Sequence, residues 1–166
     1  MSQVLLKRFA NESKELLSTA KENSEIFRHE MIGDDISKHR IIVFGPKDTP
    51  YDGYKFEVLI ELIGNYPLTP PKVKFITPIL HMNIKEDSGD VCLDILKPGT
   101  WKVQLNMIAV SKSLFELLGS PNVDSPLNTD LASLYKENKS EYETKIKNHC
   151  YETSKKYPVN NIPLKE

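Results

Sequence analysis

The chain has 166 residues, the size of one ordinary domain, and folding at that size hides about 19,000 Å² of surface without a disulfide or metal staple. With 39% hydrophobic, 8% aromatic and 27% charged residues it is neither a disordered tail nor a membrane span, and it contains no repeat array. Lys and Arg number 22 against 23 Asp and Glu, so the net charge of -1 offers no basic field to a nucleic acid, while a protein partner remains allowed.

The two cysteines, Cys92 and Cys150, are too few for a secreted disulfide scaffold. Gln3, Lys7 and Arg8 break up the apolar positions at the N-terminus, which is unlike a signal peptide. A reducing, cytosol-facing compartment is expected. With no Met-Gly acylation motif either, direct membrane insertion is not.

From Val4 to about Lys21, Leu5, Leu6, Phe9, Leu16 and Leu17 fall on one side of a 3.6-residue period, with Lys7, Arg8, Glu12, Lys14 and Glu15 on the wet face. The period then changes. Ser24 to Glu30, Ser37 to Phe44, Tyr54 to Leu62 and Lys72 to Ile76 read as four strands of an antiparallel meander. Gly45 to Gly53 and Tyr66 to Pro71 are proline-rich shaped loops between them.

Thr77 to Trp101 has little periodicity and is long for a structureless connection, which points to a functional loop anchored by short turns. Leu105 to Leu118 returns to helix, with Gly119 as its stop. Asn128 or Thr129 caps a short helix through about Tyr135. After Glu137 to Ser140 a last helix aligns Tyr142, Ile146, Cys150 and Tyr157, and Pro158 with Pro163 marks an irregular tail. The class is α+β: one domain over 3–157, with a tail at 158–166.

Within the long loop, Cys92 follows Asn83 by nine residues, Gly89 permits a turn between them, and Leu93, Ile95 and Leu96 can pin the chain beyond. A side chain held in this way presents its sulfur to a partner. His81 reads equally well as a structural hydrogen-bonding residue. No protease-type Cys-His-acid spacing is apparent, and Cys92, Cys150, His81 and His149 form no close ligand pair for a metal. Phosphate-binding glycine loops are absent from the sequence.

In order and separation, several segments together resemble the ubiquitin-conjugating enzymes. They are Gly45-Pro46 with Thr49-Pro50-Tyr51 and Gly53, Tyr66-Pro67, Pro70-Pro71-Lys72-Val73, Phe75, His81-Met82-Asn83, Gly89 to Leu96, Trp101, Leu117-Leu118, Ser120-Pro121-Asn122 and Ser125 to Asn128. The resemblance runs from about Leu5 to Cys150. It implies the fold of that family, with an N-terminal helix, a four-stranded antiparallel meander, an active-site loop and three C-terminal helices.

The resemblance also implies that Cys92 carries ubiquitin as a thioester and that Asn83 supports the loop and stabilises the oxyanion. Asp124 or Ser125 gates an incoming lysine, and His81 and Trp101 are structural neighbours. Lys7, Arg8 and Leu68 contact the activating enzyme or a RING-type ligase. No cofactor is bound, ATP being used by the separate activating enzyme. Two departures from the family pattern stand out: Met82 replaces a proline, implying a more flexible turn, and Lys102-Val103-Gln104 follows Trp101 where relatives have Ser-Pro.

Within the family, Ile79 to Asn83, the extra residue before Cys92, and Ile95-Leu96-Lys97-Pro98 resemble the fungal peroxisomal members. That likeness implies a membrane-anchored peroxin adaptor, residence on the cytosolic face of the peroxisome, and the peroxisomal import receptor as substrate, modified on lysine or cysteine. Leu117 to Gly119 and Pro121 to Asn128 also resemble the cell-cycle members of cytoplasm and nucleus, which serve a large RING-type ligase. The other readings are a noncatalytic ubiquitin-binding module of the same fold, a thiol protease, and a carrier of a modifier other than ubiquitin.

Overall fold

The computed structural model describes residues 3–159. Helix α1 (Gln3–Glu22) leads into strands β1 (Phe27–Met31), β2 (Lys38–Phe44), β3 (Lys55–Glu61) and β4 (Lys72–Phe75), paired antiparallel in the order β1-β2-β3-β4. A 3-10 turn at Asp94–Leu96 precedes α2 (Met107–Gly119), α3 (Thr129–Glu137) and α4 (Lys139–Lys156). The α+β order expected from the sequence is the one observed. None of the helices among the described residues is long and apolar enough to cross a membrane.

Alternation along the strands sends Phe56, Val58 and Ile60 of β3 inward, and the register places Val58 opposite Ile41 on one side and Phe75 on the other. Helices α1 and α2 pack on this face through Phe9, Leu16, Met107 and Leu114, all essentially inaccessible. Each such side chain contributes about 1.5–3 kcal/mol by leaving water.

Several boundaries move for local reasons. Strand β1 starts at Phe27, later than the expected Ser24, because Asn23 accepts from the N-H groups of Ile26 and Phe27 and so turns the chain before pairing begins. Helix α2 starts at Met107 because Asn106 caps it, its side chain accepting from Ala109 N at 3.0 Å. Gly119 is the last helical residue instead of the stop, and Ser120 N closes the turn on Glu116 O. Asn128, not Thr129, caps α3. Asn138 ends α3 and caps α4, and its amide also donates to Glu141 at 3.0 Å, a short Asn-x-x-Glu capping signal.

The buried stripe of α1 is Phe9, Glu12, Leu16 and Ala20. Leu6 and Leu17 are exposed, and Glu12, expected on the wet face, is buried. The stripe advances by three or four residues, so Glu12 falls between Phe9 and Leu16 on the sheet side. On α4 the inner face is Tyr142, Ile146, Cys150 and Thr153, whereas Tyr157 is outside it and 53% exposed. The residue before Pro158 is driven out of the helical region, which ends the stripe one turn early. Pro163 and most of the expected tail lie outside the described residues.

Beneath α1, His29 and His39 face each other across β1 and β2, with Nε2 of His29 and Nδ1 of His39 2.9 Å apart. His39 Nε2 lies 2.9 Å from Ile36 O and must donate to it, so its Nδ1 accepts and His29 Nε2 carries a proton. His29 Nδ1 is left buried without a partner among the described residues. Burial first, and the neighbouring His39 second, push His29 down to about 4; burial alone lowers His39.

A histidine held below its ordinary value is protonated first in the unfolded chain, so stability is lost as the pH falls through about 6.5 towards 4. For His29 the loss at pH 5 is about 2 kcal/mol. Urea denaturation is therefore expected to show a midpoint that falls from pH 7 to pH 5, and an unchanged midpoint would contradict it.

Candidate active site

The long loop after β4 is tied down by isolated bridges that pair Lys74 with Asp90, His81 with Ile84, and Ile84 with Val91. Phe75 N donates to Gly89 O at 2.9 Å, drawing the loop along the β4 edge. Gly89 has φ +71°, and a Cβ there would collide with the Phe75 carbonyl, so the turn requires glycine. The chain thus returns to Cys92, whose N-H donates to Asn83 O at 2.8 Å. Buried Leu93 then anchors the 3-10 turn that begins at Asp94.

His81, Met82 and Asn83 form the floor of the site, and all three are at most 1% exposed. His81 Nδ1 accepts from Asn83 N at 3.0 Å, so Nε2 carries the proton donated to Leu117 O at 3.1 Å. Burial pushes His81 down to about 4, which keeps it neutral at ordinary pH. The flexible turn expected from the loss of a proline is not what forms. The Met82 side chain is wholly buried and its carbonyl accepts from both Leu127 N and Asn128 N. Packing and hydrogen bonds supply the rigidity that a proline ring would have given.

Asn83 reaches across the site to the loop that follows α2. Its Nδ2 donates to Asn122 O at 2.7 Å and to Ser125 O at 3.2 Å, and its Oδ1 accepts from Asn122 N at 2.8 Å. In this arrangement both amide hydrogens lie on backbone carbonyls. Asn122 extends the pattern by accepting from Asp124 N at 3.0 Å, and its own amide lies 3.4 Å from Asp94. The sequence reading did not single out Asp94 or Asn122, because their link is formed across the fold.

Cys92 is half-buried and lies in a groove shared with Leu93, Asp94, Ile95, Ser113, Glu116 and Asn122. Asp124 and Ser125 are exposed on the loop that Asn83 holds. Cys150 differs on every count: it is 3% exposed on the inner side of α4, and burial pushes its thiol up to about 12.

The residues assigned to partner contact lie elsewhere. Leu68 is 75% exposed in its loop, whose Pro67 carbonyl accepts from Trp101 Nε1 at 2.8 Å. Lys7 is exposed on α1. Arg8, expected on the wet face, is part-buried: it pairs with Glu12 at 2.7 Å and donates to the carbonyls of Val103 at 2.8 Å and Leu105 at 3.3 Å. Tyr66 completes the cluster by donating to Glu12 at 2.6 Å. Trp101 and Arg8 therefore shape the loops around Leu68 from behind.

Residues 8–150 match the family model described as ubiquitin-conjugating enzyme. The probable ubiquitin-conjugating enzyme E2 L460 of Acanthamoeba polyphaga mimivirus is 39% identical over 155 residues, 93% of this chain and 98% of that protein. Ubiquitin-conjugating enzyme E2 pex4 of Dictyostelium discoideum is 44% identical over 100 residues, 60% of this chain and 66% of that one. The solved ubiquitin-conjugating E2 domain of Toxoplasma gondii superposes with a TM-score of 0.77 at 30% identity, over 89% of this chain and 97% of that domain. The chain belongs to the ubiquitin-conjugating enzyme family. Family membership and fold together support thioester transfer as its activity, with ubiquitin, an activating enzyme and ligases as the general partners.

Replacing Asn83 by Ala removes three hydrogen bonds and leaves part-buried backbone groups of Asn122 and Ser125 without them, at a cost of about 2–3 kcal/mol. Thermal unfolding of N83A should show a clearly lowered midpoint, whereas a change within about 0.5 kcal/mol, the size of an ordinary surface substitution, would deny the side chain its structural role.

Proposed function

We propose that Cys92 accepts ubiquitin from the activating enzyme as a thioester and passes it to a substrate lysine or cysteine. The carrying observation is the contrast between the two cysteines: Cys92 opens onto a groove, while Cys150 is packed and its thiol is held protonated. In charging, the Cys92 thiolate attacks the activated C-terminal carbonyl of ubiquitin and the activating enzyme departs. In discharge, the acceptor's lone pair adds to the thioester carbonyl, the oxygen gains charge, and the carbon-sulfur bond breaks.

Asn83 serves this chemistry in two ways under the same proposal. It holds the loop of Asp124 and Ser125 at the mouth of the site, where one of that pair helps to desolvate and place an incoming lysine. It also donates to the oxyanion if one amide hydrogen leaves Ser125 O, the longer of its two bonds. His81, neutral and fully engaged, takes no part in proton transfer. Leu68, with Lys7 on α1, supplies exposed surface for a RING-type ligase and the activating enzyme.

In a charging assay, Cys92→Ser protein should form an oxygen ester that resists thiol reductant, and Cys150→Ser protein should charge as the wild type does. A reducible adduct that persists in C92S would remove Cys92 from the role.

For location and substrate we propose the peroxisomal reading: a membrane-anchored peroxin adaptor holds the protein on the cytosolic face, and the import receptor is the acceptor. What supports it is the 44% identity to the Dictyostelium pex4 protein over 100 residues, together with the loop motifs around Cys92. The C-terminal helix and the residue after it offer exposed aromatic surface for such an adaptor, with Tyr151 and Tyr157 exposed and Tyr142 buried. Fractionation of native cells should find the protein with peroxisomal membranes, and loss of the adaptor should release it with its capacity to charge intact. Nuclear or diffuse residence with the adaptor present would favour the cell-cycle alternative.

A further inference from the structure

Glu12 is the one charged residue on the buried stripe of α1, and its two carboxylate oxygens are taken by different parts of the chain. Oε1 accepts from Arg8 Nε at 2.7 Å, and Oε2 accepts from the Tyr66 hydroxyl at 2.6 Å. Arg8 carries the connection to the carbonyls of Val103 and Leu105, at 2.8 and 3.3 Å. Tyr66 carries it to its neighbour Pro67, whose carbonyl accepts from Trp101 Nε1 at 2.8 Å. The Arg8 guanidinium also lies over the Tyr66 ring, 5.5 Å from its centre. One buried carboxylate thus joins the loop of Leu68 to the loop of Val103. Both loops are turns outside the helices and strands, each with a short backbone bond of its own: Leu68 N to Asn65 O at 2.7 Å, and Leu105 N to Lys102 O at 2.9 Å. Leu68 is 75% exposed, Val103 is 39% exposed, and exposed Lys7 precedes Arg8 on α1.

We propose that Glu12 is a positioning residue for partner docking: by bonding Arg8 and Tyr66 at once, its carboxylate sets Lys7, Leu68 and Val103 as one preformed surface for the activating enzyme. This rests on the reading of Lys7 and Leu68 as partner surface. The chemistry of the side chain follows from the geometry. Arg8 and the Tyr66 hydroxyl both donate, and a carboxylate alone among side chains offers two acceptor oxygens and no competing donor.

A surface whose parts are fixed before encounter loses less loop and side-chain freedom on binding, so the gain falls on affinity. Glu12 is buried beneath α1 and is not among the residues that line the Cys92 groove, so it acts through Arg8 and Tyr66 and leaves the transfer step alone. Removing the carboxylate frees the two loops to move independently. Leu68 and Val103 then have to be ordered by the partner itself.

The test uses the full chain with activating enzyme, ATP and ubiquitin. The rate of thioester formation against the concentration of this protein gives KM and kcat for charging, and discharge of the purified thioester to free lysine is the control that involves no partner. Glu12→Met fills the same space without an acceptor and should raise KM about tenfold, with kcat and lysine discharge within about twofold of wild type. Glu12→Gln keeps an acceptor for Arg8 and can donate to the Tyr66 oxygen, so its KM should return to within about threefold of wild type. Tyr66→Phe breaks a single link and should raise KM about threefold. A Glu12→Met KM within about twofold of wild type, a Glu12→Gln protein as impaired as Glu12→Met, or a loss shared equally by KM and lysine discharge would overturn the inference and leave the thioester role of Cys92 standing. If Glu12→Met does not fold, Tyr66→Phe decides, and an unchanged KM there overturns it. A Lys7→Ala protein that charges with the wild-type KM would instead overturn the partner-surface reading, and this inference with it.

Discussion

The hydrogen bonds of the buried Asn83 amide hold together everything that surrounds Cys92. Three chain segments meet on this residue: its own turn with His81 and Met82, the Cys92 strand end through its carbonyl, and the loop at Asn122 to Ser125 through its side chain. None of these segments belongs to the four-stranded sheet or to an α-helix, so something else must hold them together. A fully satisfied buried amide can do so, because each partner it loses costs a desolvated group that water cannot reach. Met82 adds the apolar half of the anchor beneath it.

A second buried polar cluster does the same for the other end of the molecule. Glu12 carries a charge into the interface between α1 and the sheet, tolerable only because Arg8 and Tyr66 both bond to it. Arg8 continues to the carbonyls of Val103 and Leu105, and Trp101 fixes Pro67. The loops around Leu68 are thereby held from behind while Leu68 itself faces solvent, an arrangement suited to a surface that must present an apolar side chain without letting it collapse inward.

The surroundings of Cys92 fit the carrier role proposed for it. His81, two residues before Asn83, is kept neutral by burial and has both ring nitrogens occupied, and the acids Asp94 and Glu116 line the groove. Rate in such a site has to come from placement and desolvation of the acceptor more than from a resident base. Under the proposed function, a site of that kind holds its acyl group until a well-placed amine arrives.

The α+β order, the four-stranded meander and the contiguous motif from His81 to Leu96 were legible in the sequence. Each is written in a local period or a contiguous motif: two for strands, about 3.6 for helices, and fixed glycines and prolines at the turns. What the sequence could not show was which residues meet across the fold. Glu12 read as solvated because one charged residue on a helix looks like any other until Arg8 and Tyr66 close over it. Met82 read as a loosened turn because backbone stiffness is local while packing is not. The engagement of Asn83 with Asn122 and Ser125, some forty residues on, depends on distances fixed only when the core has formed. Local propensity determined the elements of this protein, and tertiary structure decided which polar groups are paired, because hydrogen bonds and charges act over a few ångströms of space whatever the separation in sequence.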